Sequence, residues 1–275
     1  MKLLNKTTLI LLICIGFCAL SAFAENTTLM MATTTSTENT GLLDYLAAHF
    51  KNDTGIELKW VAVGTGKALE YGKNCDVDIL LVHAPATEIE YVKKGYGIDR
   101  REIMYNDFII IGPESDPAKI KSLTVLEAIS AIKNKTANFV SRGDASGTHK
   151  MEQSLWKDAG VSAPDKESWY IQTGQGMLPT INIAAERNGY TLTDRGTYIK
   201  YENNMSGNPP LKILVEGDSK LFNQYSVIIV NPKNCPKVKL DLSKKFSDWI
   251  ADKNTQKLIQ DYKFQGKSLF TPNAK

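Results

Sequence analysis

The chain has 275 residues, of which 43% are hydrophobic and 23% are charged, with 33 basic and 30 acidic side chains. This mixed charge and high apolar content exclude an intrinsically disordered protein. The formal net charge of +3 is too small for the electrostatic footprint of a nucleic-acid-binding protein. The length suits one large domain or two lobes of roughly 100–150 residues each.

The first 24 residues have the pattern of a secretory signal peptide. Lys2 and Lys6 precede an uncharged apolar run, Leu9–Leu20, which is too short to span a bilayer, and an A-x-A cleavage site ends at Ala24. An uncleaved membrane anchor is the alternative interpretation. The pattern predicts a signal peptide over 1–24, cleavage after Ala24, and a soluble protein exported to the periplasm.

Two cysteines, Cys75 and Cys235, follow the predicted cleavage site. In an oxidising compartment such a pair often forms a disulfide, and two buried free thiols are the alternative that the sequence leaves open. The histidines His49, His83 and His149 are scattered and have no metal-ligand spacing. The sequence therefore predicts no site for a metal cation and no cofactor.

Strand and helix patterns alternate along the rest of the chain. The first half predicts a strand at Thr28–Thr33, a helix from Leu43 to near Gly55, strands at Ile56–Val63 and Val77–Val82, a helix at Glu88–Lys94 and a strand at Phe108–Ile111. The second half predicts a helix at Val125–Ile132, a strand at Asn138–Val140, helices at Thr148–Ala159 and Ile181–Arg187, strands at Leu211–Val215 and Tyr225–Val230, and a helical end over Leu242–Tyr262. This alternation indicates an α/β fold with mainly parallel sheets.

Three loops rich in hydroxyl groups and glycine each follow a predicted strand and precede a helix: Thr33–Thr37, Gly64–Gly66 and Ser141–Thr148. Helix N-termini leave unpaired N–H groups and a positive dipole end, and hydroxyl groups add further donors. Glycine lets the backbone approach a ligand closely. Three such loops that meet at one point form a cage of donors for a small oxyanion. The alternative for each loop is that its Ser or Thr only caps the helix that follows.

Two arginines provide positive charge for such an oxyanion site. Arg142, in the third loop, provides planar and permanently charged donors for an oxyanion, and Asp144 is placed to hold its guanidinium. Arg195 directly follows Asp194. The sequence therefore predicts that these two side chains pair, as Arg142 and Asp144 do, and that Arg195 is a second cation of the site. A structural surface ion pair is the alternative for Arg195.

The same loops do not match the motifs of other functional classes. The Gly64–Lys67 stretch lacks the first glycine and the closing Ser or Thr of a P-loop. An exported hydrolase or phosphotransferase that uses Ser146 and His149 is the alternative function, but hydrolase-like residues crowded into one loop and helix start do not aim at one point. An adhesion protein that uses the tripeptide Arg142-Gly143-Asp144 is a further alternative, without support from the near-neutral charge.

The chain resembles the periplasmic tungstate-binding proteins of Tup-type ABC transporters. The resemblance runs in order through nearly the whole mature chain, in Ala32–Thr37, Val63–Leu69, Met104–Phe108, Ser141–His149, Trp169-Tyr170, Gly174–Met177 and Tyr190–Tyr198. It implies a two-lobed periplasmic binding protein fold of the class II type. Each lobe is then a mainly parallel sheet flanked by helices, and two crossover strands, Phe108–Ile111 and Tyr225–Val230, join the lobes. Residues 25–108 and 223–275 form lobe 1, which holds both cysteines, and residues 109–222 form lobe 2.

The same resemblance implies a function without catalysis. The protein captures tungstate, with molybdate as a second ligand, in the cleft between the lobes and delivers it as a monomer to the permease of an ABC transporter. Carried over by motif, the oxyanion donors are Thr35, Ser36, Thr65, Arg142, Ser146, Gly147 and Thr148, with Arg195 as a weaker member.

His83 becomes a candidate site residue through a comparison with phosphate-binding relatives, whose third loop is similar. Those relatives place a carboxylate near the second loop to accept the proton of hydrogen phosphate, and here the comparable stretch Leu81–Pro85 has His83. A carboxylate repels a fully ionised dianion, whereas a histidine donates to it. The replacement favours tungstate and molybdate over phosphate, and an ordinary strand-end histidine is the alternative. Tungstate and molybdate are nearly equal in radius, so the resemblance alone puts tungstate first.

Overall fold

The structure, a computed structural model, describes residues 27–144, 146–161 and 164–275. The predicted signal peptide lies outside these residues. The helices are α1 (Thr35–Glu38), α2 (Leu42–Thr54), α3 (Thr65–Lys73), α4 (Pro85–Lys93), α5 (Val125–Asn134), α6 (Gly147–Asp158), α7 (Met177–Glu186), α8 (Arg195–Asn204), α9 (Leu240–Ala251) and α10 (Lys253–Asp261). The strands are β1 (Thr28–Thr34), β2 (Glu57–Val63), β3 (Ile79–Val82), β4 (Gly97–Pro113), β5 (Phe139–Ser141), β6 (Tyr170–Gln172), β7 (Thr191–Asp194), β8 (Leu211–Val215), β9 (Phe222–Val230), β10 (Lys263–Phe264), β11 (Lys267–Ser268) and β12 (Thr271–Pro272).

Lobe 1 is built on a sheet in the order β12-β4-β9-β3-β1-β2. Strands β1, β2 and β3 are parallel, and β9 is antiparallel to both β3 and β4. Successive strand residues pack on opposite faces, so that Leu81 belongs to one apolar cluster and Leu80 to another. Helices cover both faces, as the near-continuous apolar pattern of β3 requires.

Lobe 2 is organised around the second half of β4, which pairs with β7 and β8. Strands β5 and β6 are parallel to each other, and a bridge between Phe139 and Tyr190 aligns β5 with the chain entering β7. Ile110 and Ile111 again belong to clusters on opposite faces. The architecture is therefore the expected two-lobed α/β fold. Its sheets are mixed and not mainly parallel as predicted, because β4 pairs antiparallel with β7, β8 and β9.

The two lobes are joined by β4 and by the chain that precedes β9. Strand β4 pairs with β9 as far as Asp107 and with β7 from Phe108 onward, so it crosses between the lobes at this point. Strand β9 pairs within the lobe 1 sheet along its length. The return connection is therefore residues 216–221, which include a 3-10 helix at Ser219–Leu221, and not the predicted Tyr225–Val230.

Some elements differ from the pattern-based prediction. The first half of β4 has the charged residues Arg100, Arg101 and Glu102, which mask the strand pattern, and β4 is continuously buried only from Phe108 onward. The helical end is divided into α9 and α10 at Asp252, whose extended backbone ends α9 and whose carboxylate accepts from the N–H of Asn254. Local side-chain bonding therefore overrides a continuous helical pattern.

Cys75 and Cys235 form a disulfide, with their Cα atoms 5.4 Å apart. Cys75 precedes the amino end of β3, and Cys235 follows the carboxyl end of β9, which lies beside it because the two strands are antiparallel. The bond therefore lies at the sheet edge opposite the carboxyl ends of β1, β2 and β3. Within the described ranges, no helix has both the length and the apolar character needed to cross a bilayer.

Candidate anion-binding site

The carboxyl ends of β1, β2 and β3 lie at one edge of the lobe 1 sheet, because these strands are parallel neighbours. The loops that begin at Thr35, Gly64 and His83 therefore lie along this edge. The Asp107–Phe222 pair of β4 and β9 lies at the same edge, since β9 is antiparallel to β3.

The lobe 2 strands end at the same crossing point from the other side. Phe108, one residue beyond the last β4–β9 pair, is the partner of Asp194 at the carboxyl end of β7. Strand β5, which leads into Arg142, runs parallel to β7. The strand ends of both lobes thus face each other across the connections, which is where α/β proteins of this kind bind ligands.

The first loop turns directly from β1 into the short helix α1. Thr34 is buried and caps α1, accepting from the N–H of Thr37 at 3.3 Å. The hydroxyl groups of Thr34 and Ser36 lie 3.0 Å and 3.1 Å from Nε2 of His83. Thr35 and Ser36 are exposed at the sheet edge. The structure therefore brings Ser36 and His83 together, and it assigns Thr34 to internal bonds.

His83 is held from behind by side chains that have no sequence motif. Its Nδ1 lies 2.9 Å from Oδ1 of Asn223, and Nδ2 of Asn223 donates to Oδ1 of Asn106 at 2.8 Å. The imidazole stacks on Tyr225 with ring centroids 4.6 Å apart. Burial lowers the pKa of His83, although the bond to Asn223 and the charge of Asp194 oppose this shift. Sequence reasoning missed Asn106, Asn223 and Tyr225, and the one available signal was that Asn106 lies in a stretch that carries the family resemblance.

The second loop leads from β2 into α3, which starts at Thr65. Gly64 is the N-cap residue, and α3 has no side-chain cap. A Cβ atom added at Gly64 or Gly66 would meet nothing within 4 Å. These glycines are therefore not required by packing, and their absence of side chains leaves the first N–H groups of α3 uncovered.

The third loop places an arginine and a carboxylate side by side. Nη2 of Arg142 donates to Oδ2 of Asp144, and the N–H of Ser146 donates to Oδ1 of the same carboxylate at 3.1 Å. Burial raises the pKa of Asp144, but the bonds from Ser146 and the Arg142 guanidinium outweigh it and hold this pKa below its ordinary value. The side chains of Arg142 and Asp144 are only 20% and 21% exposed. Asp144 therefore pairs with the guanidinium of Arg142.

A buried carboxylate fixes the base of the third loop. Oε2 of Glu152, on α6, accepts from the hydroxyl of Ser141 at 2.7 Å, and the same hydroxyl oxygen accepts from the N–H of Gly143 at 3.2 Å. Oε1 of Glu152 accepts from Tyr170 and Trp156 at 2.5 Å and 3.1 Å. Burial raises the pKa of Glu152, although the hydrogen bonds that it accepts from Tyr170, Ser141 and Trp156 act to lower it. Sequence reasoning missed this support, since Glu152 reads as an ordinary helix residue.

A fourth glycine-rich turn lies beside the third loop. The N–H groups of Thr173 and Gly174 donate to the carbonyls of Ser141 and Arg142 at 3.0 Å and 2.8 Å. Gly174 has φ +65°, and α7 begins three residues later. The strand-glycine-helix signal that marked the second loop is also present here, so the sequence contained the information to include it.

Gly143 is the position where the third loop depends most on glycine. Its φ is +61°, and an added Cβ would lie 2.9 Å from Cβ of Gln172. We expect Gly143→Ala to lower the free energy of unfolding by about 1–3 kcal/mol. The substitution strains the backbone, and it places a methyl group so close to Gln172 that β6 must shift. Gly160→Ala is the matched control, with φ +70° but nothing within 4 Å. Urea unfolding measures both variants, and an equal loss in the two would show that the contact with Gln172 has no cost.

Ser146 and His149 are arranged as a helix cap. The Ser146 oxygen accepts from the backbone N–H of His149 at 3.3 Å, at the start of α6. Thr148 and His149 are 8% and 7% exposed, whereas Gly147 is exposed. The cap uses a lone pair of the Ser146 oxygen, and the Ser146 hydroxyl also hydrogen-bonds to the Asp144 carboxylate.

Arg195 has partners that the sequence did not indicate. Its Nε and Nη2 donate to the two carboxylate oxygens of Asp107, each at 2.6 Å, and Nη2 also donates to Glu216 at 2.7 Å. These bonds raise the pKa of Arg195 further above its ordinary value. Asp194 instead caps α8 by accepting from the N–H and the hydroxyl of Thr197. The predicted Asp194–Arg195 pair is therefore wrong, and Arg195 joins both interlobe connections.

The facing loops combine helix N-termini, hydroxyl groups and one guanidinium, which are donors for an anion. Among the described residues, no group of three or more His, Cys, Asp or Glu side chains is placed to hold a metal cation. The profile of the PBP superfamily domain matches residues 21–254. The fold and the site therefore define a two-lobed protein of the PBP superfamily.

Several similar proteins narrow this class. A protein of Campylobacter jejuni subsp. jejuni named tungstate-binding protein TupA is 51% identical over 240 residues, which are 87% of this chain and 89% of the relative. The solved structure of the tungstate-binding protein TupA from Desulfovibrio alaskensis G20 is 67% identical, with a TM-score of 0.89, and the match covers 90% of this chain and 99% of that one. The structure described as the tungstate ABC transporter from Geobacter sulfurreducens is 46% identical, with a TM-score of 0.72 over 86% of this chain and 98% of that one. The chain belongs to the TupA family of tungstate-binding proteins.

Proposed function

We propose that this protein is the periplasmic receptor of an ABC transporter and that it captures tungstate, with molybdate as a second ligand, between its lobes. The observation that carries the proposal is the arrangement of the third loop, with its paired Arg142 and Asp144, opposite the hydroxyl-rich strand ends of lobe 1. The names of the relatives support tungstate as the ligand. The protein is then a binding component, not an enzyme, and no observation favours a hydrolase that uses Ser146 and His149.

The proposed donors come from both lobes. Lobe 1 provides the hydroxyl groups of Thr35, Ser36 and Thr65, with His83 behind Ser36. Lobe 2 provides the guanidinium of Arg142 and the start of α6, which comprises Ser146, Gly147 and Thr148. Arg195 is left out of this set, because two carboxylates hold its Nε and Nη2.

Donors on two lobes make binding a conformational event. The ligand bridges both sets only when the lobes approach, so binding favours the closed arrangement by the difference in contacts between the two states. A closed, loaded monomer is the form that we propose the permease recognises. A signal peptide over 1–24, which accounts for export, remains part of the proposal.

Calorimetric titration with tungstate, molybdate, sulfate and phosphate in one buffer tests this function. We expect heat and tight binding with tungstate, and no binding with sulfate or phosphate, because sulfate is smaller than the cage and His83 stands where phosphate-binding relatives have the carboxylate that accepts the proton of hydrogen phosphate. The molybdate titration measures how far the cage separates two ions of nearly equal size. An absence of heat with all four anions would contradict the proposal. It would mean that the hydroxyl groups of the loops only cap the helices that follow them.

A further inference from the structure

His83 connects the hydroxyl groups of the first loop to a chain of buried amides. On the cleft side, Nε2 lies 3.0 Å from the Thr34 hydroxyl and 3.1 Å from the Ser36 hydroxyl. On the other side, Nδ1 faces the carbonyl oxygen of Asn223, whose amide nitrogen donates to Asn106. The imidazole is therefore bonded through both nitrogens and has a defined orientation.

The bonds of this chain decide which groups donate into the cleft. A neutral imidazole has one donor and one acceptor nitrogen. Since Nδ1 donates to Asn223, Nε2 of the neutral ring accepts, and it directs a hydroxyl proton of Thr34 or Ser36 toward itself. In the protonated ring both nitrogens donate, so the exposed Ser36 hydroxyl accepts from Nε2 and its proton becomes available to a ligand. The buried Thr34 hydroxyl keeps its bonds to the hydroxyl groups of Thr37 and Ser36, at 2.7 Å and 3.0 Å.

The surroundings keep the ring neutral until a further negative charge arrives. The groups that face it are the Thr34 and Ser36 hydroxyls at the end of β1 and on α1, the amide of Asn106 on β4, Asn223 and the Tyr225 phenol on β9, and the carboxylate of Asp194 at the end of β7. Burial lowers the pKa of His83 more than Asp194 raises it, and burial also raises the pKa of Tyr225 so that the phenol is uncharged. A dianion bound at Ser36 adds the charge that favours imidazolium.

We infer that His83 takes up a proton when a fully ionised oxyanion binds, and that this turns the hydroxyl group of Ser36 toward the ligand. The inference rests on the proposed function and adds a proton to its binding step. His83 is then a positioning residue that converts hydrogen-bond acceptors of the first loop into donors. It also predicts selectivity for oxyanions without a proton of their own, since the protein provides it.

The coupling of proton uptake to oxyanion binding determines how the affinity changes with pH. The bound state holds more protons than the free state, so the affinity decreases as the pH rises from the pKa of His83 in the free protein to its pKa in the complex, and it is level outside this range. The steepest slope that one group can produce is about tenfold in affinity per pH unit.

Calorimetry with tungstate in buffers of different ionisation enthalpy counts the protons directly. We expect wild-type protein to take up about one proton per tungstate near neutral pH, with the uptake decreasing once the pH exceeds the pKa of His83 in the complex. In His83→Gln the uptake is expected to fall close to zero and the pH dependence of the affinity to flatten. His49→Gln is the matched control, because His49 lies on α2 against Tyr45 and is expected to leave the uptake unchanged.

Ring NMR signals of His83 in wild-type protein, with and without tungstate, provide a second measurement that does not depend on the folding of a variant. A ring that stays neutral in the complex overturns the inference, and so does proton uptake that persists in His83→Gln. Tungstate binding without proton uptake overturns this inference alone. A protein that binds none of the tested anions overturns the proposed function as well.

Discussion

Arg142→Ala is expected to weaken tungstate binding by roughly 30- to 5,000-fold, which corresponds to about 2–5 kcal/mol for truncating one partner of a buried, hydrogen-bonded charge pair. The guanidinium is the cation of the proposed cage, and its side chain is 20% exposed. Its removal has a second effect, because the Asp144 carboxylate stays in the loop without its partner. An uncompensated carboxylate repels the incoming dianion. Calorimetric titration of the variant with tungstate measures the loss.

Arg101→Ala is the matched control for this prediction. Arg101 pairs with Asp248 and the carbonyl of Ser247 on α9, so its removal changes the net charge equally but lies away from the strand ends of the site. We expect its affinity to match wild type within the small range of a screened surface charge. An Arg142→Lys variant is expected to fall between alanine and wild type, because lysine keeps the charge but not the planar donors. Unchanged affinity in Arg142→Ala would remove this residue from the site.

Removal of the disulfide is expected to lower the free energy of unfolding by about 2–5 kcal/mol. Cys75 and Cys235 are separated by 160 residues, so the bond closes a long loop and restricts the unfolded chain strongly. The variant Cys75→Ser with Cys235→Ala suits the two environments, since Cys75 is exposed and Cys235 is only 2% exposed. Urea unfolding of the variant and of oxidised wild type measures the difference.

Tungstate affinity separates this effect from damage to the site. The bond lies at the sheet edge opposite the strand ends that carry the donors, so the folded variant is expected to bind tungstate as wild type does. Wild type unfolded in the presence of a reductant is expected to reproduce the variant's urea midpoint. Equal midpoints for the oxidised and reduced proteins would show that the bond does not stabilise the fold.

The features that could be predicted from the sequence are local in the chain. Arg142 and Asp144 are two residues apart, and Ser146 bonds to the N–H of a residue three positions later, so their contacts follow from the loop itself. The alternating strands and helices were also predictable, because apolar periodicity reports which face of an element is buried. The family resemblance then predicted that the loops are parts of one site.

The features that required the structure join residues far apart in the chain. Arg195 was assigned to Asp194, its neighbour, but its guanidinium reaches Asp107, which is 88 residues away. The partner of His83 is Asn223, at a separation of 140 residues, and neither residue has a motif that points to the other.

The sequence by itself therefore determined the α/β class, the positions of the hydroxyl- and glycine-rich loops, and the charge pair at the centre of the third loop, since propensity, capping and short-range bonding are encoded within a few residues. Tertiary structure decided the disulfide, the partners of Arg195, the crossing at 216–221 and the buried support behind His83. These depend on which strands lie side by side, and that choice is made by the packing of the whole core.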